Sequence, residues 1–143
     1  MIKFDSELIR NRLALLNEYM THLKEMQDLS EKEFLADFRN YSTVERLLQL
    51  TIEAFIDIGN HLVAMSSWGK PSNYREIFQI LTEHRIFTKE QGKTLQEVIG
   101  FLNILVHHYF RIDRRIIYRI LQENLSDLET FIRQLIKCLN LEL

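Results

Sequence analysis

The sequence has little that bends, crosslinks or anchors a chain. One proline, Pro71, and four glycines stand among 143 residues, so turns are few and regular elements long. A single cysteine, Cys138, excludes an intramolecular disulfide and a cysteine-rich zinc site; it reads as a packing residue. No apolar run approaches the roughly 20 residues that a membrane-spanning helix requires. Met1-Ile2-Lys3-Phe4-Asp5 carries no signal-peptide pattern, and a cytoplasmic protein is expected. Neither charge is in large excess: 18 Lys and Arg face 20 Asp and Glu, a formal net charge of −2. Contact with a nucleic acid would therefore rest on a local patch and not on global charge. There is no Gly-rich phosphate loop and no Gly-x-Ser-x-Gly elbow, which argues against an ATPase and a serine hydrolase. His22, His61 and His84 show no ligand spacing with a carboxylate or thiol. His107 and His108 diverge by about 100° on a helix, a poor geometry for one ion. No metal site and no cofactor are expected.

What is present is helical pattern. Hydrophobic residues make up 46% of the chain, enough for the core of one domain spanning 1–143. Ile9, Leu13, Leu16, Met20 and Leu23 recur at steps of four and three, a stripe along one helix from about Asp5 to Gln27. Asp5 or Ser6 can cap it. Ser30 to Glu33 has the spacing of a capping box, and Ser42 to Glu45 repeats it. A helix over 42–66 has apolar residues on more than one face, so it should be the most buried. Glu45 and Asp57 are read as sharing one face of it, as core or cleft-lining carboxylates. Trp68-Gly69-Lys70-Pro71-Ser72-Asn73 is a loop, and Tyr74 to Glu83 a short helix. Thr88 to Gln91 is a further capping box, opening a helix to about His108. Asp113 can cap a short helix over Arg114 to Gln122, and a last helix runs from Leu125 to Leu139. No strand is predicted. The expected fold class is all-α, an antiparallel helical bundle with short accessory helices.

The stretch with chemical content is Gly100-Phe101-Leu102-Asn103-Ile104-Leu105-Val106-His107-His108-Tyr109. Asn103 and His107 are four apart, on one helical face and within hydrogen-bonding reach. Histidine titrates near neutral pH and serves as a general acid or base. The plain alternative is a histidine at a helix C-terminus, where the macrodipole favours its cation. Arg111, Arg114, Arg115 and Arg119 follow within nine residues, opposed only by Asp113. They are candidates for holding RNA phosphates or an acidic partner, the alternative being a solvated helix face.

This stretch resembles the motif of the HepT-like branch of the HEPN superfamily, the RNase toxins of prokaryotic toxin–antitoxin pairs. That motif usually reads Arg-Asn-x-Leu-Val-His-x-Tyr, and Leu102 to Tyr109 match it at each familiar position except the first. Val44-Glu45-Arg46-Leu47-Leu48-Gln49-Leu50 and Ile56-Asp57-Ile58-Gly59-Asn60-His61-Leu62 look like the family's long second helix. Pro71-Ser72-Asn73-Tyr74-Arg75-Glu76-Ile77-Phe78 looks like its middle loop and short helix. The resemblance implies a homodimer of HEPN-type bundles. Its composite cleft would cut RNA without a metal, with no role for DNA or a membrane. By position, His107 is the acid–base residue, Asn103 the accompanying polar residue and Tyr109 the motif tyrosine. It also implies a partner, a minimal nucleotidyltransferase antitoxin that adenylylates Tyr109; an ordinary amphipathic tyrosine at a helix end is the alternative.

Leu102 stands where the arginine belongs, and it neither donates a hydrogen bond nor carries charge. Losing one preorganised donor to a transition-state oxyanion costs roughly 3–4 kcal/mol. Weakened or absent nuclease activity is therefore expected. The alternative is a non-catalytic module that docks a nucleotidyltransferase, and a bundle unrelated to RNA would be expected not to dimerise.

Overall fold

A computed structural model describes residues 2–107 and 113–141. Those residues form seven helices and no strand: α1 (Ser6–Met26), α2 (Glu31–Ala36), α3 (Phe38–Met65), α4 (Tyr74–Glu83), α5 (Lys89–His107), α6 (Arg114–Glu123) and α7 (Leu125–Cys138). The predicted all-α bundle is thus observed, with boundaries close to those read from caps and stripes.

Helix α3 is the centre, and α1, α2, α4, α5 and α6 all pack on it. The cause is its wide apolar arc: Val44, Leu48, Ile52, Phe55, Ile58, Leu62 and Val63 are among its buried residues. An arc that broad needs partners on several sides. The α1 stripe Ile9, Leu13, Leu16, Met20 and Leu23 is buried as its spacing predicts. Side-chain amides fasten the far end of α1 to α6. Gln27 donates to the Leu121 carbonyl at 2.9 Å, Gln122 to the Gln27 carbonyl at 2.9 Å, and Tyr118 Oη to the Leu29 carbonyl at 2.7 Å.

The caps follow the sequence at most helix starts. The Asp5 carboxylate accepts from the Glu7 and Leu8 N–H groups, while the Asp5 N–H donates to His61 Nε2 at 2.8 Å. Capping boxes form at Ser30/Glu33 and at Thr88/Gln91. One expectation needs correcting: Ser42 and Glu45 open nothing. Helix α3 begins at Phe38, capped by Asp37, whose carboxylate accepts from the Arg39 N–H at 2.9 Å. An aspartate followed by four residues compatible with a helix starts it one turn earlier. Tyr41 then anchors that turn on Phe34, ring centroids 6.4 Å apart.

Three of these carboxylates respond to pH in the same sense. Glu33 is held below its ordinary range chiefly by the backbone of Ser30, Asp37 by the Arg39 side chain, and Asp113 by the backbone N–H of Arg115. A depressed folded-state value contributes stability that is present at neutral pH and lost as pH falls through it. Acidification below about 4 is therefore expected to fray α2, α6 and the start of α3 first. Asp37→Asn with Asp113→Asn, which keeps a capping side chain but removes the charge, should flatten the acid limb of the helical circular-dichroism signal. An unchanged limb would contradict this.

Gly59 lets α4 approach α3 closely. A Cβ there would stand 2.9 Å from Ile77 Cγ2, closer than carbon atoms tolerate, and 3.2 Å from Leu81 Cδ1. The loop before α4 is closed by Trp68, which stacks on His84 at 4.0 Å with rings 7° from parallel. Asn73 caps α4 by accepting from the Glu76 N–H at 3.0 Å. The start of α4 is thereby fixed beside α5.

Candidate functional site

Gly100, Asn103 and His107 are spaced three and four apart on α5 and so share a face. That face opens on a cleft of about 500 Å³ between α3, the start of α4 and the end of α5. From α3 come Glu53, Ile56 and Asp57; from α4 and its cap come Asn73, Tyr74 and Arg75; from α5 come Ile99, Gly100, Leu102, Asn103, Val106 and His107. The structure thus brings Leu102, Asn103 and His107 to one cleft. No hydrogen bond joins Asn103 to His107, and both side chains are exposed to solvent. The exposed positions Ile104 and Val106 flank them.

Leu102 borders the cleft but is only 5% exposed. It continues the apolar stripe of α5, in which Leu95, Ile99 and Leu105 are also buried. Leu102 thus belongs to the core. The motif position is filled by packing, and it contributes no charge to the cleft.

The cleft's charges come from elsewhere. Asp57 pairs with Arg12 at 3.6 Å, and Glu53 accepts from Gln49 Nε2 at 3.1 Å. Arg75 is exposed, and its Nη2 would be 3.3 Å from a Cβ on residue 100. The guanidinium therefore rests over the bare backbone of Gly100. Gln96, one turn earlier on α5, donates to the Arg75 carbonyl at 2.8 Å. Sequence reasoning quoted the 71–78 stretch only as part of a resemblance and missed Arg75, Tyr74 and Glu53 as cleft residues. No spacing rule links α4 to α5 across the intervening turn.

The arginine candidates separate. Arg114 turns inward, its Nε 3.4 Å from Glu45 Oε1 and its guanidinium 4.1 Å over the Tyr41 ring. Burial raises the Glu45 carboxyl above its usual range, and the Arg114 charge opposes that rise. Arg114 is thus engaged in holding α6 to α3. Arg115 pairs with its own cap, Asp113, at 3.3 Å, and Arg119 is exposed. Tyr109 and Arg111, with His108, lie outside the described residues. Glu45 and Asp57 do not share a face, since twelve helical residues turn about 120° beyond whole turns; one meets α6 and the other lines the cleft.

Known proteins resemble this chain over nearly its whole length. Residues 16–135 match the family Ribonuclease HepT-like. A protein of Aphanizomenon flos-aquae named tRNA nuclease HepT is 32% identical over 135 residues, 94% of this chain and 92% of that one. One of Shewanella oneidensis named mRNA nuclease HepT is 28% identical over 127 residues, 89% of this chain and 95% of that one. Among solved structures, a tri-AMPylated Shewanella oneidensis HEPN toxin in complex with its MNT antitoxin superposes with a TM-score of 0.85 at 28% identity, covering 94% and 99% of the two chains. A toxin–antitoxin crystal structure with AMP-PNP gives 0.84 at 27%, covering 92% and 99%. With the matched segment spanning most of the bundle and including the α5 motif, the chain belongs to the HepT-like ribonuclease family of the HEPN superfamily.

Proposed function

We propose that this chain is a toxin-type endoribonuclease, acting without a metal ion at a site shared by two copies and attenuated by Leu102. One juxtaposition carries the reading. His107 and Asn103 line the cleft at the end of α5, between Ile104 at 43% and Val106 at 42% exposure. On an α-helix Ile104 projects about 60° to one side of His107 and Val106 about 100° to the other. Apolar side chains flanking a polar stripe suit burial against a second copy, which would bring two His107 side chains to one RNA.

The chemistry is transesterification. The neutral imidazole of His107 takes the proton of an RNA 2′-hydroxyl. The 2′-oxygen bonds to the adjacent phosphorus as the bond to the 5′-oxygen breaks, that oxygen takes a proton from water as it leaves, and the proton held by His107 returns to solvent. The products are a 2′,3′-cyclic phosphate and a 5′-hydroxyl. Requirement for the 2′-hydroxyl makes RNA, not DNA, the substrate. Arg111 and Arg119 serve flanking phosphates. The described partners of the related toxins support a minimal nucleotidyltransferase antitoxin as partner. Adenylate carried on Tyr109 would repel an RNA phosphate. Both partners would meet it in the cytoplasm.

Two measurements test this. Sedimentation at micromolar concentration is expected to give a dimer, and Ile104→Glu a monomer. In chelator, the chain is expected to cut RNA slowly, and His107→Ala to fall to background. A strict monomer would sink the shared site, and cutting indifferent to His107→Ala would remove that histidine from the chemistry. If no version cut RNA, the bundle would stand as a docking module for the nucleotidyltransferase.

A further inference from the structure

We infer that Arg75 supplies to the cleft the phosphate-holding guanidinium that residue 102 lacks. The inference rests on the nuclease reading above and deepens it. Among the described residues, Arg12, Arg39, Arg114 and Arg115 are each paired with a carboxylate. No described carboxylate lies within ion-pair distance of Arg75. Its side chain is exposed in the cleft that Asn103 and His107 line. It comes from a different helix than His107, yet its head lies over Gly100, on the α5 face that carries Asn103 and His107.

Gly100, with no Cβ, leaves room for the guanidinium, whose Nη2 would stand 3.3 Å from a Cβ there. Gln96 grips the Arg75 backbone through a 2.8 Å hydrogen bond to its carbonyl. A guanidinium offers a planar fork to phosphate oxygens. Arg75 would engage the phosphate as charge grows on it, in the role a guanidinium at position 102 would otherwise fill.

The test measures RNA cleavage in chelator by the unmodified chain, Arg75→Gln, Arg75→Lys, His107→Ala, Leu102→Arg and Leu102→Arg/Arg75→Gln. The unmodified chain should cut above the His107→Ala background. Arg75→Gln should lose about a hundredfold, with an unchanged melting temperature because the side chain is exposed. Arg75→Lys should retain an intermediate rate, since it keeps the charge and loses the fork. In the Leu102→Arg background, the Arg75→Gln loss should shrink to under about tenfold, the new guanidinium sharing the role. If Leu102→Arg cuts while Arg75→Gln matches the unmodified chain, the nuclease reading stands and this inference is overturned. Equal losses in both backgrounds overturn it as well, as does an unmodified chain no better than His107→Ala beside an active Leu102→Arg. Failure of every version, Leu102→Arg included, removes the nuclease reading and this inference with it.

Discussion

Replacing Leu102 with arginine is expected to raise RNA cleavage by about a hundredfold to a thousandfold, the range that one preorganised donor to a transition-state oxyanion supplies. The structure makes the gain sterically accessible. Leu102 is packed, at 5% exposure, but it borders the cleft shared with His107. An arginine could lay its apolar stem along the stripe of Leu95, Ile99 and Leu105 and extend its head into the cleft. Glu53 and Asp57 line the opposite wall and would orient an incoming guanidinium. The same substitution exchanges a buried apolar residue for a charged one, so stability should fall by about 1–3 kcal/mol. Activity and stability are therefore predicted to move in opposite directions. Single-turnover cleavage and thermal melting of the same sample separate them. A rate within threefold of the unmodified chain, in a protein that still folds, would contradict the assignment of position 102.

Phe78→Ala is expected to be among the most destabilising single changes, at about 3–5 kcal/mol. Phe78 is 2% exposed and heads a chain of rings through the core. Its centroid lies 6.5 Å from that of Phe87, Phe87 lies 6.0 Å from Phe131, and Phe131 lies 6.3 Å from Phe55. The chain ties α4 to α7 and α3. Phe78 Cζ also lies 3.5 Å from where a Cβ of Gly59 would be, so truncation opens a cavity beside a residue that has no side chain to fill it. The effect reaches the site, because α4 carries Asn73, Tyr74 and Arg75. Urea denaturation measures the loss, and a value under about 1 kcal/mol would mean that α4 is held by something other than this ring.

Local signals made the fold legible. Periodicity gave the α1 stripe, and Asp5, Ser30, Thr88 and Asp113 each cap a helix as their spacing indicates. The start of α3 was misread because a Ser-x-x-Glu spacing occurs at 42–45, inside a helix already begun by Asp37. Spacing alone cannot say whether a preceding turn is helical. The site was legible only along α5, where Asn103 and His107 share a face. Residues brought in by packing were not: Arg75 and Tyr74 come to the cleft because Gly59 and Phe78 seat α4, a long-range contact with no periodic trace. Arg114 looked like one of a basic cluster. Its pairing with Glu45, about seventy residues away in sequence and on another helix, depends on how α6 crosses α3.

The most direct measurement is cleavage of total transfer RNA in chelator by Leu102→Arg compared with Leu102→Arg/His107→Ala, both checked for folding. The account predicts that the first cuts, yielding 2′,3′-cyclic phosphate ends, and that the second does not. Equal cutting by the two, or none by either folded protein, would contradict it.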